Sequence, residues 1–145
     1  MASLVIDASV AVKWVIEEDG SADAAALLGG GHALCAPDLL MPECANILWK
    51  KARRAEITAD EAILAAELLQ RAAIELVPMR PLMAAALRLA VELGHPAYDA
   101  AYLALSRDRG CPLVTADGRL ARVVAEHGGP DLRHLVTVLA RAGSP

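Results

Sequence analysis

Short apolar runs alternate with longer helical patterns along the chain, and this alternation most constrains the fold. The runs of strand length are SLVID (3–7), ALCAP (33–37), IELVP (74–78) and PLVTAD (112–117). Strands separated by helices pair in parallel, with helices covering both faces of the sheet. A last segment, LRHLVTV (132–138), fits either a fifth strand or the start of a final helix. We therefore predict a three-layer α/β/α sandwich around a central, mostly parallel sheet of four to five strands.

The segments between these runs carry signals that begin and end helices. Thr58 and Glu61 have the spacing of a capping box, and Ser21 stands where a helix cap is expected. Glycines after the helical patterns predict helix ends, as at Gly94 and Gly110. The predicted helices cover the segment ASVAVKWVIEE, then 21–28, 38–57, 58–73, 82–93, 97–108, and the segment GRLARVVAEHG after the fourth strand.

The length and composition favour one soluble domain. With 145 residues, of which 56% are hydrophobic, the chain can bury a core and is too apolar to be disordered. We predict one domain over 1–140, followed by a frayed tail over 141–145. Charges interrupt every apolar run before it reaches the length of a membrane span, and no basic leader precedes the first strand. We therefore expect neither a membrane segment nor a signal peptide.

The three cysteines favour a reducing compartment. Cys35, Cys44 and Cys111 are odd in number and show no CxxC spacing. We expect them to be reduced thiols, packed in the core of a cytoplasmic protein.

Four acidic residues stand at the ends of predicted elements. Asp7 ends the first strand, and Asp117 follows the fourth. Glu43 and Asp99 lie in the first turns of two predicted helices. Since ligands of open α/β sheets collect outside the carboxyl ends of the strands, three or four of these acids can converge on one edge of the sheet.

Converging carboxylates repel one another unless their charge is compensated. Two carboxylates about 4 Å apart repel by roughly 4 kcal/mol at an effective dielectric constant of about 20. Mg²⁺ or Mn²⁺ removes this conflict, because both ions prefer carboxylate and water oxygens. The sequence shows no cluster of His and Cys that would suit a softer metal.

Each acid also has a structural explanation when it is considered alone. The helix dipole favours acids in a first turn, which accounts for Glu43 and Asp99, and Asp117 suits the cap of the helix that follows it. Asp7 is harder to explain in this way, because it ends an apolar strand. The pattern of four together favours a metal site over four separate structural roles.

Three polar residues accompany the acids. Asn46 follows Glu43 by three residues and shares its helix face, where it can orient Glu43 or hold a metal-bound water. Ser9 and Thr115 carry hydroxyls near Asp7 and Asp117 that can bond the carboxylates or a substrate phosphate. Capping and turn bonding explain both hydroxyls nearly as well.

Basic residues offer contacts to a phosphate backbone, although a net charge of −4 gives no overall attraction to nucleic acid. A solvated surface explains these residues at least as well. The two basic sets are Lys13, Lys50, Lys51, Arg53 and Arg54, and then Arg107, Arg109, Arg119 and Arg122. The four histidines, His32, His95, His127 and His134, stand mostly beside Gly or Pro, and we interpret them as loop residues.

Four sequence blocks together resemble one known family. LVIDASVAVKW, PECANILWKK, YDAAYLALS and LVTADGRLA are similar, in order and spacing, to blocks of the PIN-domain ribonucleases, most closely the VapC-like toxins of bacterial toxin–antitoxin pairs. The resemblance spans nearly the whole chain. It puts Asp7, Glu43, Asp99 and Asp117 on the family's acidic positions, Asn46 on its ExxN position and Thr115 on its TxD position. Arg119 stands where some relatives carry a further acid, which leaves open whether one or two ions bind.

This resemblance implies a Mg²⁺- or Mn²⁺-dependent endoribonuclease that hydrolyses RNA phosphodiester bonds with a metal-activated water. The direct ligands would be Asp7, Asp99 and Asp117, and Glu43 would bind through water or help to activate it. The resemblance also implies a homodimer that a cognate antitoxin neutralises, with the C-terminal segment of the antitoxin lying across the active-site groove.

Other functions fit the residues less well. A phosphohydrolase with an aspartyl nucleophile needs a second Asp two residues after Asp7, where this chain has Ser9. A phospho-receiver domain needs paired acids ahead of its phosphorylated Asp and a Lys after a late strand, and LVTAD has no such Lys. Two alternatives stay open: an RNA-processing PIN nuclease outside a toxin pair, and a catalytically inactive PIN-like module that binds partners.

Overall fold

Five strands pair in one parallel sheet in the computed structural model, which describes residues 3–139. They are β1 (Ser3–Ile6), β2 (Ala33–Pro37), β3 (Glu75–Val77), β4 (Leu113–Thr115) and β5 (Val136–Val138). Their order across the sheet is β3-β2-β1-β4-β5, and every neighbouring pair is parallel. The predicted α/β/α class is confirmed, and the ambiguous last segment contains a strand.

Helices connect the strands and flank the sheet. They are α1 (Ala8–Ala11), α2 (Ser21–Leu28), α3 (Leu40–Arg53), α4 (Ala59–Leu69), α5 (Met83–Leu93), α6 (Ala97–Arg109), α7 (Gly118–His127) and α8 (Pro130–Arg133). Short 3-10 turns cover Val12–Trp14 and Arg80–Leu82. Of the residues described, no helix combines the length and the apolar character needed to cross a membrane.

Three predicted helices are shorter in the structure than the sequence pattern indicates, and the one predicted over 58–73 covers only Ala59–Leu69. The helix expected directly after the first strand ends after one α-helical turn, and the chain then tightens into the 3-10 turn that ends at Trp14. The Trp14 indole Nε1–H donates to the Ala24 carbonyl at 2.9 Å, so a tertiary contact with α2 fixes this change of direction. The helix predicted over 38–57 covers only Leu40–Arg53, and Ala55 just beyond it has a φ of 60°, outside the helical range.

The capping predictions have different outcomes. The capping box of Thr58 and Glu61 is confirmed, because both of its hydrogen bonds are present. The predicted Ser21 cap is wrong, since Gly20, with a φ of 88°, occupies the cap position of α2. The Ser21 hydroxyl instead accepts from the Glu18 N–H and donates to the Ile16 carbonyl, which closes the preceding turn.

The core lies between the central strands and α6. Val5 and Ile6 of β1 and Leu113 and Val114 of β4 have no exposed surface. Residues 100–106 of α6 are all buried, so this middle stretch of the helix has no exposed face. The cysteines are buried and form no disulfide among the residues described, in agreement with the prediction. The single domain over 1–140 stays a prediction, and the tail predicted to fray lies outside the described residues.

Candidate active site

The four acids follow strands or begin helices at the carboxyl edge of the sheet. Asp7 follows β1 directly, and Asp117 follows β4 after one intervening residue. Because β1 and β4 are parallel neighbours, both chains leave the sheet at the same edge. Glu43 lies in the first turn of α3, which follows β2, and Asp99 lies in the first turn of α6.

Asp7 is a partly buried carboxylate whose nearest partners carry no charge. The Ser9 hydroxyl donates to Asp7 Oδ1 at 2.6 Å, and the Val10 backbone N–H donates to the same oxygen at 3.2 Å. Burial raises the pKa of Asp7 from 3.8 to about 6, with a further contribution from the negative charge of Asp99, while the hydroxyls of Ser9 and Thr115 oppose this rise. Within residues 3–139, no cation is among the groups that shift the pKa of Asp7.

The predicted supporting hydroxyls connect the Asp7 segment to the Asp117 segment. Ser9 Oγ, which donates to Asp7, also accepts from the Ala116 N–H at 2.9 Å. The buried Thr115 accepts from the Asp117 N–H at 3.0 Å through Oγ1. These bonds fix the chain after β4 relative to the chain after β1.

A buried tyrosine of α6 holds Glu43. The Tyr102 hydroxyl donates to Glu43 Oε1 at 2.6 Å, and Tyr102 is only 1% exposed. Burial raises the pKa of Glu43 above its ordinary value, and the charge of Asp99 adds to this rise, whereas the Tyr102 hydrogen bond lowers it. The sequence analysis missed Tyr102, since a tyrosine within an apolar helix reads as core packing.

Replacement of Tyr102 by Phe is expected to destabilise the protein by about 1–2 kcal/mol near neutral pH, since Glu43 would lose its donor while staying partly buried. The pKa of Glu43 would then rise further, so the loss should shrink as acidification protonates Glu43. Denaturant unfolding at neutral and acidic pH measures both effects. Tyr98→Phe, an exposed tyrosine on the same helix, is the matched control. A loss that does not change with pH would contradict this role.

Asp99 contacts a histidine that sequence analysis assigned to a loop. His95 Nε2 lies 2.6 Å from Asp99 Oδ2, so its N–H donates to the carboxylate when that nitrogen is protonated. The His95 side chain is only 12% exposed, and that of Asp99 is 40% exposed. His95 lies in the turn before Pro96, the cap of α6, so the helical repeat does not reveal this pair.

Asp117 carries the cap of α7 and an ion pair. Its carboxylate accepts from the Arg119 backbone N–H at 2.9 Å, and Arg119 Nη2 lies 3.3 Å from its second oxygen. Partial burial opposes ionisation, but these bonds and the positive charge of Arg119 outweigh it and lower the pKa of Asp117. Arg119, the departure from the acidic pattern, therefore compensates one of the four acids.

Asn46 is exposed and lies one turn after Glu43 in a groove of about 540 Å³. Both residues line this groove, as the shared helix face predicts. The structure shows Tyr102, rather than Asn46, bonded to the Glu43 carboxylate.

Comparison with known proteins gives a family match over most of the chain. The family model described as the PIN domain matches residues 4–126. This chain belongs to the PIN-domain family. Ribonuclease VapC3 of Pyrobaculum aerophilum is 36% identical over 120 residues, which are 81% of this chain and 92% of that protein. Ribonuclease VapC9 of Mycobacterium tuberculosis is 35% identical over 115 residues, which are 74% of this chain and 89% of that protein.

Solved structures share the fold of this PIN domain. The crystal structure of PAE2754 from Pyrobaculum aerophilum has a TM-score of 0.68 at 23% identity, covering 99% of this chain and 91% of that one. VapBC2 from Rickettsia felis, bound to a DNA fragment from its promoter, has a TM-score of 0.63 at 12% identity, covering 94% and 98%. At these identities the likeness concerns the fold alone.

The donor chemistry of this PIN domain fits a hard divalent cation. Asp7 is a desolvated carboxylate with neutral partners, and its neighbours offer carboxylate and hydroxyl oxygens. In this structure each of the four acids is paired with a different protein group. Within residues 3–139, no three His, Cys, Asp or Glu side chains stand close enough together to hold one ion. The residue types therefore suit a hard divalent cation. In this structure, however, the carboxylates bond protein groups and do not converge on one point.

Proposed function

We propose that this protein is a divalent-metal-dependent endoribonuclease, and that it is the toxin of a toxin–antitoxin pair. One observation carries the proposal: four acids from separate segments reach one edge of the sheet, where Asp99 influences the pKa of both Asp7 and Glu43. The ribonuclease names of relatives that are 35–36% identical to the chain over the aligned residues support the activity.

The four acids have different roles in the proposed hydrolysis. Asp7, Asp99 and Asp117 would hold Mg²⁺ or Mn²⁺, which would lower the pKa of a bound water and stabilise negative charge on the leaving oxygen. Glu43 has a raised pKa because it is partly buried, so it is suited to accept a proton from the attacking water. The Tyr102 hydroxyl orients the Glu43 carboxylate for this step.

The supporting residues keep the acids in position. Ser9 orients Asp7 and binds the chain after β4, and Thr115 orients the Asp117 backbone. Asn46 faces the same groove as Glu43 and would contact the substrate there. These roles rest on hydrogen bonds and placement within the fold.

The partners in this proposal are RNA, a cognate antitoxin and a second copy of the chain, and the proposed location is the cytoplasm. The VapC names of the relatives support the toxin role. An RNA-processing nuclease outside a toxin pair is the alternative with the same chemistry. Co-expression with the neighbouring open reading frame separates them, because an antitoxin would bind the protein and suppress cleavage.

The activity is tested by incubating the purified protein with total RNA and Mn²⁺, alongside calorimetric titration of Mn²⁺. We expect discrete RNA fragments, which disappear when a chelator is added and in the Asp99→Asn variant. The matched control is Asp108→Asn, an exposed acid near the opposite end of the same helix, which should cut like the wild type. Cleavage that survives both the chelator and Asp99→Asn would disprove the metal-dependent mechanism. Absence of both metal binding and cleavage would favour an inactive PIN-like module.

A further inference from the structure

A groove beside the acids combines an exposed aromatic ring with two exposed cations. Residues of α3 line one part of it, namely Glu43, Asn46 and Lys50, while Tyr98 and Arg119 come from the starts of α6 and α7. Its volume of about 540 Å³ lies in the range of small-ligand sites. Glu43 at its border places the groove next to the proposed reaction centre.

Tyr98 has no part in the core and does not contact the acids through a hydrogen bond within the described residues. It is 66% exposed and directly precedes Asp99. Tyr102, one turn later on the same helix, is buried with its hydroxyl on Glu43. Tyr98 therefore exposes its ring to solvent at the site, while the buried Tyr102 holds Glu43.

The groove carries two cations beside the Glu43 carboxylate. Lys50 is exposed, and the Arg119 side chain is 76% exposed although it pairs with Asp117. The chain as a whole has a net charge of −4, so an anionic polymer has no general attraction to it. Two cations in one groove provide a local site for a phosphate.

We propose that this groove binds one unpaired nucleotide of the RNA, with its base stacked on Tyr98 and a phosphate on Lys50 and Arg119. Bases stack on exposed aromatic rings when they are splayed out of single strands, and such stacking tolerates any base. The Asn46 amide, which offers both donors and an acceptor, faces the same space and can contact a base edge. This inference rests on the proposed function, and it assigns Tyr98, Lys50 and Arg119 to one nucleotide subsite of this chain.

The test measures RNA affinity rather than cleavage. In an Asp7→Asn background, which keeps the probe intact, fluorescence anisotropy follows binding of a labelled pool of short single-stranded RNAs of random sequence. Tyr98→Ala should weaken binding by about tenfold, whereas Tyr98→Phe and Tyr98→Trp should retain it, since both keep a stacking face. The control Trp49→Ala removes a different exposed aromatic residue, outside this groove, and should leave affinity unchanged.

The phosphate contacts can be tested separately, through the dependence of RNA affinity on salt concentration. Lys50→Ala and Arg119→Gln should each reduce the slope of log affinity against log salt by about 0.7, while Tyr98→Ala should leave the slope unchanged. Arg88→Gln, an exposed arginine of α5, is the control for general charge. A blunt RNA duplex, whose bases cannot splay out, should bind equally to the parent and to Tyr98→Ala.

The outcomes separate this inference from the proposed function. If the wild type cuts RNA but Tyr98→Ala binds single strands as tightly as its parent, the nucleotide subsite is wrong and the nuclease stands. Loss of affinity for the single strand and the duplex alike would also overturn the subsite, since it would indicate a general defect. If the wild type neither binds nor cuts RNA, the proposed function and the subsite both fail.

Discussion

The Asp7→Asn variant is expected to lose RNA cleavage by about a hundredfold or more while keeping its fold. A carboxylate ligand contributes several kcal/mol through the charge it places beside the cation, and an amide oxygen carries no such charge. The asparagine oxygen can still accept from the Ser9 hydroxyl and the Val10 N–H, so the start of α1 should persist. Initial rates of cleavage in saturating Mn²⁺, measured beside circular dichroism spectra, test the prediction.

The comparison needs a control for the loss of one charge. Asp108→Asn removes an exposed carboxylate from α6 and should cut at the wild-type rate. Full activity in Asp7→Asn would remove Asp7 from the proposed ligand set. An unfolded Asp7→Asn protein would show instead that the role of Asp7 is structural.

Without metal, the same variant is expected to be more stable than the wild type at neutral pH, by about 2–3 kcal/mol. The folded-state pKa of Asp7 is raised to about 6, so ionisation of this carboxylate opposes folding at pH values above 6. As the pH falls through the folded pKa toward the ordinary value, the folded protein binds the proton first and gains stability. The difference between the two proteins should therefore be largest near pH 7 and vanish near pH 4.

Urea unfolding in the presence of a chelator, repeated across this pH range, measures the difference directly. Other groups titrate in the same range, but they are common to both proteins and cancel in the comparison. Addition of Mg²⁺ at neutral pH should then stabilise the wild type more than the variant, because binding to the folded state adds to its stability. A wild type that is the more stable protein at neutral pH without metal would contradict a desolvated, ionised Asp7.

The fold was largely predictable because β and helical patterns alternate with clear end signals. The parallel sheet follows from that alternation, and Thr58 with Glu61 begins α4 as expected. The local rules failed where side chains bond backbone groups outside their own helix. The short α1 leads into a turn held by Trp14 on Ala24, and the Ser21 hydroxyl bonds backward to Glu18 and Ile16 instead of capping.

The acids could be located from the sequence because each stands at the end of an element. Their partners were harder to predict. Tyr102 lies in a wholly buried stretch of α6 and meets Glu43 from 59 residues away, so no local spacing reveals the pair. The His95–Asp99 pair was also hidden, because His95 lies before the Pro96 cap of α6, where the helical repeat does not apply.

The position of β4 in the sheet determines when the site can form during translation. This strand lies beside β1 at the centre of the sheet, yet more than a hundred residues separate the paired strands in the chain. Until β4 and the residues after it have been translated, one of the two strands that pair with β1 is missing. Ser9 then has no bond to the Ala116 N–H, and the site lacks Asp117. A nascent chain therefore cannot assemble the four acids until Asp117 has been translated.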